Sequence, residues 1–346
     1  MTFYGVRAAI LHGKEDLRIE DIVPRPLQPG EVRVAIAAAL TCGTDLKVYR
    51  RGYHARMGVP PFPFGHEWSG TVSEVAPDVG GWSVGDRVVA ANSAPCGVCP
   101  SCRRQQESLC DDLLFLNGAY ADSIVVPARI VSKNLLRVPG DMGWADAALT
   151  EPLACVVQGI EDVGVGPGDR LLVLGAGPIG LMAVALARHA GAEVAVIGRG
   201  PARLDQARRL GAGTVHENLA PDRIDAPAGT EASFDVVFEA MGRPFAWEAA
   251  VRLVHKGGRV NWFGGCPSGT TVQVDTVRMH YDALTLKASF HHTPRTIRRA
   301  LQLVHEGVVT ADVFVDGRRA LSDLPGLFRE MAQGNRAVKT WVDVKA

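Results

Sequence analysis

The sequence predicts an α/β protein of two lobes, one rich in β-strands and one built on a doubly wound parallel sheet. Three observations predict it. At 346 residues, 47% of them hydrophobic, the chain exceeds one ordinary core and suits two lobes of roughly 150 residues each. From Gly5 to about Ile124 it runs as short β-like segments, VRAAIL, EVRVAIAAAL, GTVSEV and DRVVAA, broken by Gly and Pro turns. Near residue 145 the rhythm changes. From Gly168 short apolar strands alternate with helical stretches: LLVLG, PIGLMAVALARHA, EVAVIG, PARLDQARRLG, and later FDVVFEA and GRVNWFGG. That alternation predicts a parallel sheet with helices on both faces.

The order of these elements sets the division. After ALTLKASF (283–290), a helix from about Pro294 to His305 and a last apolar strand, AVKTWVDV, have no place in the parallel sheet. They are expected to return to the first lobe. The expected domains are therefore 1–147 with 290–346, and 148–289. The segment 218–233 reads as a surface loop. No internal repeat or low-complexity tract interrupts the pattern.

Lys plus Arg equals Asp plus Glu, 37 each, so no net charge would hold the chain on nucleic acid or an acidic membrane. No run approaches the ~20 apolar residues needed to span a bilayer, and the N-terminus has no signal-like pattern. A small-molecule partner and a cytoplasmic location are expected. The seven cysteines include four between positions 96 and 110. Such close spacing suits a metal in a reducing compartment better than disulfides.

Gly175-Ala176-Gly177-Pro178-Ile179-Gly180 follows the strand LLVL and opens a helix, the context that a dinucleotide fingerprint requires. Gly175 permits a tight turn, Gly177 lets a pyrophosphate approach the backbone, and Gly180 lets the helix close on the sheet. Pro178 suits the first helical turn. The next strand ends in Gly198-Arg199 rather than in the Asp or Glu that binds the ribose of NAD. A small residue there leaves room for a 2′-phosphate, and Arg199, with Arg203 one turn on, supplies countercharge, so NADP(H) is expected over NAD(H). The alternative is that Arg199 caps a solvated loop.

Cys96, Cys99, Cys102 and Cys110 are spaced to wrap a tetrahedral Zn²⁺. Four sulfurs close the shell, so this ion is structural. A dispersed set comprises Cys42 in TCGTD, His66 and Glu67 in FGHEWSG, and Glu151 in ALTEPLA. Each is unremarkable alone.

Taken together, Cys42-Gly43-Thr44-Asp45, Gly65-His66-Glu67, Gly85-Asp86-Arg87-Val88, the four-cysteine lobe, Glu151-Pro152-Leu153 and the glycine fingerprint carry a family likeness over essentially the whole chain. The chain resembles the zinc-containing medium-chain dehydrogenase/reductases, within them the sorbitol (polyol) and threonine dehydrogenase branch. The resemblance implies a GroES-like catalytic domain bearing a structural zinc lobe (94–112), a Rossmann domain, and a cleft between them with a catalytic zinc. Two zinc ions per chain and a homodimer or homotetramer follow from the same likeness. Cys42 and His66 are implied as zinc ligands, with Glu67 and Glu151 completing the site. Which glutamate binds directly varies in the family. Thr44 matches the hydroxyl that takes the alcohol proton, and Lys47 stands where many relatives carry a relay histidine. A strand near Thr270–Asp275, at the sheet edge, is expected to pair across a two-fold axis.

The implied reaction interconverts a secondary alcohol and a ketone. Tyr49, His54, Phe115, Tyr120, His291 and His292 are placed around the cleft, a set richer in hydrogen-bonding groups than a simple aliphatic alcohol needs. A sugar alcohol, cyclitol, aminocyclitol or keto-sugar is favoured, although each histidine has a packing role as its alternative. Two competing readings share the fold: a zinc-free reductase of activated alkenes, which has no need of Cys42, His66 and Glu151, and a non-catalytic nucleotide-binding protein.

Overall fold

The computed structural model describes residues 5–53, 58–334 and 337–346. His54 lies outside them. The chain divides into two compact units, Met1–Ala154 with Thr293–Ala346, and Cys155–His292.

In the first unit the β-branched and small apolar residues of β1 (Val32–Leu40) alternate between fully and partly buried positions. A bend at Thr41-Cys42 leads into α1 (Gly43–Arg51), whose N-cap is Cys42 and whose C-cap is the left-handed Gly52. β1 pairs antiparallel with β2 (Glu67–Val75), Leu40 opposite Glu67. The register therefore puts the end of one strand beside the start of the other, and both lead into candidate site residues. The core beneath them is built from Leu11, Ile36, Phe64, Trp68, Tyr120 and Phe328. α2 (Thr150–Asp162) begins in this unit and ends in the other.

The second unit carries the strands β3 (Arg170–Leu174), β4 (Glu193–Gly198), β5 (Thr214–Glu217), β6 (Phe234–Glu239), β7 (Val254–Trp262) and β8 (Thr285–Ala288). They form one parallel sheet in the order β5-β4-β3-β6-β7-β8. The helices α3 (Pro178–His189), α4 (Pro201–Arg209) and α5 (Pro244–Leu253) lie between successive strands. The order runs outward from β3 in both directions, so β3 and β6 flank the point where it reverses. Sheets of this kind bind ligands there, beyond the strands' C-terminal ends.

Thr270–Asp275 forms no strand. Its backbone is committed elsewhere: Thr270 closes a turn on Pro267, Gln273 N–H donates to Glu248, and Asp275 caps the helix Thr276–Tyr281. The outer strand on that side of the sheet is β8. The chain then returns to the first unit with α6 (Pro294–His305), opened by a Thr293/Thr296 capping box, and with β9 (Thr340–Asp343). β9 lies antiparallel to β1, Trp341 opposite Leu40.

Candidate metal and dinucleotide sites

Cys42, at the mouth of α1, and His66 and Glu67, at the head of β2, bring one ligand atom each within 4.8 Å of one another. His66 and Glu67 are each held by a buried charged side chain, Asp45 and Lys339. His66 Nδ1 lies 2.9 Å from Asp45 Oδ1, and Asp45 Oδ2 accepts from the Tyr120 hydroxyl at 2.6 Å. Asp45 is fully buried and His66 is 4% exposed. A carboxylate facing Nδ1 keeps the proton there and turns the Nε2 lone pair toward a ligand. Burial alone would lower the basicity of His66, yet Asp45 and the Cys42 thiol raise it well above the usual histidine range. The donor set thus draws positive charge to itself.

Glu67 is engaged by Lys339. Lys339 Nζ stands 2.7 and 2.5 Å from its two carboxylate oxygens and 3.2 Å from the Thr41 carbonyl. Glu151, in the first turn of α2, is 4% exposed. Burial pushes its carboxyl up to about 7; His66 opposes the shift and Glu67 adds to it. Thiolate, imidazole and carboxylate are the usual donors of zinc, and this set fits it. Thr44 and Lys47 lie on the exposed side of α1.

The second cluster is compact. Cys96 and Cys102 sulfurs are 3.9 Å apart, as are those of Cys99 and Cys110. A tetrahedron with metal–sulfur bonds of about 2.3 Å has an edge of roughly 3.8 Å. Backbone N–H groups of Val98 and Cys99 point at Cys96 Sγ and pull its thiol down to about 6, whereas burial pushes Cys102 up to about 12.

In the second unit, Gly177 caps α3 and Pro178 is its first residue. A Cβ on Gly180 would stand 1.8 Å from the Gly175 carbonyl oxygen, so the fingerprint turn closes only with glycine there. Gly175 has φ +108 and packs against Met241. Ile179 follows at the exposed end of α3. Arg199 donates to the carbonyls of Asn218 (3.2 Å), Leu219 (2.8 Å) and Ala220 (2.8 Å), the loop-capping role weighed above. Arg203 lies one turn into α4. A neighbour missed by sequence reasoning is Glu217, level with Gly198 on β5, whose Oε1 accepts from Gly200 N–H.

Among the residues expected to meet substrate, Tyr49 is corrected. It is 2% exposed and packs on Phe328 at 5.4 Å, inside the apolar core. Tyr120 is fully buried and serves Asp45. His292 is also buried, at 2%, its ring tilted against that of His291 with centroids 3.9 Å apart, so of the two histidines only His291 keeps appreciable surface. Phe115 is half-buried on a short strand facing Ser93.

Residues 28–139 match the model of the alcohol dehydrogenase GroES-like domain, and residues 178–306 that of the zinc-binding dehydrogenases. The chain is 36% identical to D-altritol 5-dehydrogenase of Agrobacterium fabrum, over 87% of its own length and 89% of that protein's. It belongs to the zinc-binding alcohol dehydrogenase family. Membership makes it an oxidoreductase of alcohols and their carbonyl counterparts that works with zinc and a nicotinamide cofactor. L-threonine 3-dehydrogenase of Pyrococcus horikoshii is 32% identical over 86% of each chain. A zinc-binding dehydrogenase of Sinorhizobium meliloti 1021, solved with NADP, superimposes with a TM-score of 0.88 at 28% identity, covering 98% of this chain and 99% of that one. Within the family's two matched domains, the candidate metal-binding groups Cys42, His66 and Glu67 and Cys96, Cys99, Cys102 and Cys110 fall in the first and the fingerprint helix in the second. No helix among the described residues is long and apolar enough to cross a membrane.

Proposed function

We infer that the chain interconverts a secondary alcohol and its ketone on a small, hydroxyl-rich molecule, a sugar alcohol, cyclitol, aminocyclitol or keto-sugar. The observation that carries the zinc chemistry is the Asp45–His66 pair beside Cys42, with Glu151 buried in the same charge field. Cys42, His66 and Glu151 hold the ion in this reading, while Lys339 occupies Glu67. Bound zinc supplies a Lewis acid for the substrate oxygen, and bound nicotinamide supplies the partner for the hydride. Thr44, two residues past the Cys42 thiol that caps α1, takes the proton from the substrate hydroxyl and releases it on the exposed side of α1, where Lys47 stands. The polyol preference is supported by the likeness to the altritol enzyme and by the hydrogen-bonding surface of His291.

NADP(H) is the preferred cofactor in this reading. Gly198 offers no carboxylate, and the basic pair Arg199 and Arg203 flanks the start of α4. Arg199 and Arg203 share the phosphate recognition in this reading. The first unit is the catalytic domain, the second the dinucleotide-binding domain, and the four cysteines hold a second, structural zinc. A cytoplasmic homodimer or homotetramer fits seven cysteines that form no disulfide and a β8 edge left unpaired among the described residues.

Metal analysis with a panel of polyols and keto-sugars, followed by cofactor absorbance, tests the reading. Two zinc ions per chain are expected, one lost in Cys99→Ser and the other in Cys42→Ala, with turnover abolished only by the second loss at its own site. One zinc per chain in the wild type, or near-normal turnover in Cys42→Ala, overturns it.

A further inference from the structure

Glu239 ends β6, level with Leu174 at the end of β3 and with Trp262 at the end of β7. It is fully buried, and no charged side chain among the described residues pairs with it. Its Oε1 accepts from the backbone N–H of Met241 at 2.7 Å and of Gly242 at 2.8 Å, folding the loop after β6 back over the strand end. Its own carbonyl accepts from Phe263 at 3.1 Å and Gly264 at 2.9 Å, so the same residue also holds the loop after β7. Its Oε2 is buried without a hydrogen-bond partner.

The two loops meet backbone to backbone. A Cβ on Gly264 would stand 2.3 Å from Gly242 N and 2.8 Å from Glu239 Oε2, and one on Gly242 would stand 2.5 Å from the Gly265 carbonyl. Trp247 of α5 adds a third tie, donating from Nε1 to the Gly264 carbonyl at 2.9 Å. On the other side, Ala240 N–H donates to the Leu174 carbonyl and Met241 fills the space beside Gly175 of the fingerprint.

A buried carboxyl is an expensive way to join two loops, since an amide or hydroxyl would accept the same N–H bonds with less desolvation. Its place is therefore informative. In a doubly wound sheet the fingerprint strand meets the pyrophosphate, the strands on the β4 side meet the adenosine half, and those on the β6 side meet the other nucleotide. We propose that Glu239 is the positioning residue for the nicotinamide half of the dinucleotide, setting the loops 240–242 and 263–265 as one cradle against the fingerprint turn. The proposal rests on the reading of this unit as the dinucleotide-binding domain.

The test compares whole cofactor with its adenine half on the full-length, zinc-loaded protein, by calorimetry or NADPH fluorescence. The ligands are NADPH and 2′,5′-ADP, or NADH and ADP if the wild type prefers NADH. Glu239→Leu, which leaves the two N–H groups without an acceptor, is expected to weaken the whole cofactor roughly tenfold or more. It should leave the adenine half within about twofold, because that half binds on the other side of β3. Glu239→Gln, whose amide oxygen accepts the same bonds, restores whole-cofactor affinity. Should Glu239→Leu fail to fold, Gly264→Ala forces the loops apart with the carboxyl intact and is expected to give the same split. Equal weakening of both ligands, or of neither, overturns the role of Glu239. A wild type that binds neither ligand overturns the dinucleotide reading itself.

Discussion

Lys339 and Glu67 form an ion pair shut away from solvent, with Nζ 2.7 and 2.5 Å from the two carboxylate oxygens and side chains 1% and 0% exposed. Removing one partner strands the other charge in the interior. Lys339→Met is therefore expected to cost about 3–5 kcal/mol of stability, with Lys339→Met/Glu67→Gln recovering most of it. Denaturant midpoints of the zinc-loaded variants check this; a loss under ~1 kcal/mol in the single variant would show that the pair is hydrated.

Asp45 acts on His66 and not on substrate. Asp45→Asn should lower zinc affinity at the Cys42 site roughly 10–100-fold, the usual effect of losing a carboxylate behind a ligand histidine. Tyr120→Phe should act in the same direction and less strongly, since it removes one bond to Asp45. Chelator competition reads the effect. The four-cysteine zinc provides an internal standard, and loss of both ions together would mean general unfolding instead.

Cofactor choice should turn on Arg199 and Arg203. Arg203→Ala is expected to cost roughly tenfold in kcat/KM for NADPH relative to NADH, the worth of one charge-assisted phosphate contact. Introducing a carboxylate needs two changes. A Cβ at position 198 would stand 2.6 Å from the Ala176 Cβ, so Gly198→Asp should favour NADH cleanly only together with Ala176→Gly. An unchanged cofactor ratio in Arg203→Ala refutes the assignment.

Burial raises the Glu239 carboxyl to about 7, above the usual 4.5 of an unfolded chain. The unfolded state thus releases the proton at lower pH than the folded state. Stability contributed by the bound proton is present below about 4.5, declines as pH rises to about 7, and changes no further above it. Glu239→Gln lacks this decline. Its melting temperature relative to wild type should climb between pH 5 and 7 and then level off, with a limit on the order of 3 kcal/mol. A pH-independent difference would place the carboxyl's titration elsewhere.

Much of this was legible in the sequence because it rests on local rules. The strand-to-helix context of Gly175–Gly180 reports a turn that only glycine closes, and four closely spaced cysteines report a cluster whose spacing is set by its own loop. The Cys42 site is different. Its donors are spread over more than a hundred residues and became readable only through family likeness, and their supports stayed hidden: Asp45 was seen as part of a motif without a role, and Lys339 looked like any strand-flanking lysine. Nothing local distinguishes a buried lysine from an exposed one. Tyr49 misled for the same reason, since a tyrosine at the C-terminal turn of α1 gives no sign of whether it faces Phe328 or solvent. The unit boundary at Ala154/Cys155 falls inside helix α2, which runs unbroken past Pro152 and Gly159, so no interruption of the pattern marks it. Thr270–Asp275 has strand-like composition, but caps and turns claimed its backbone first.

The pairing of Lys339 with Glu67 spans 272 positions of the chain. A ribosome emits the chain from its N-terminus, so Glu67 is synthesised early and waits, its charge uncompensated, while the entire dinucleotide-binding unit is made. Only when β9 docks beside β1 does the carboxylate acquire its counterion. Closure of this pair is thus among the last events of biogenesis, and until then the nascent first unit must be tolerated with an open sheet position and an unneutralised interior acid. Release of the finished polypeptide, more than any early nucleation, is the moment at which this buried charge pair can close.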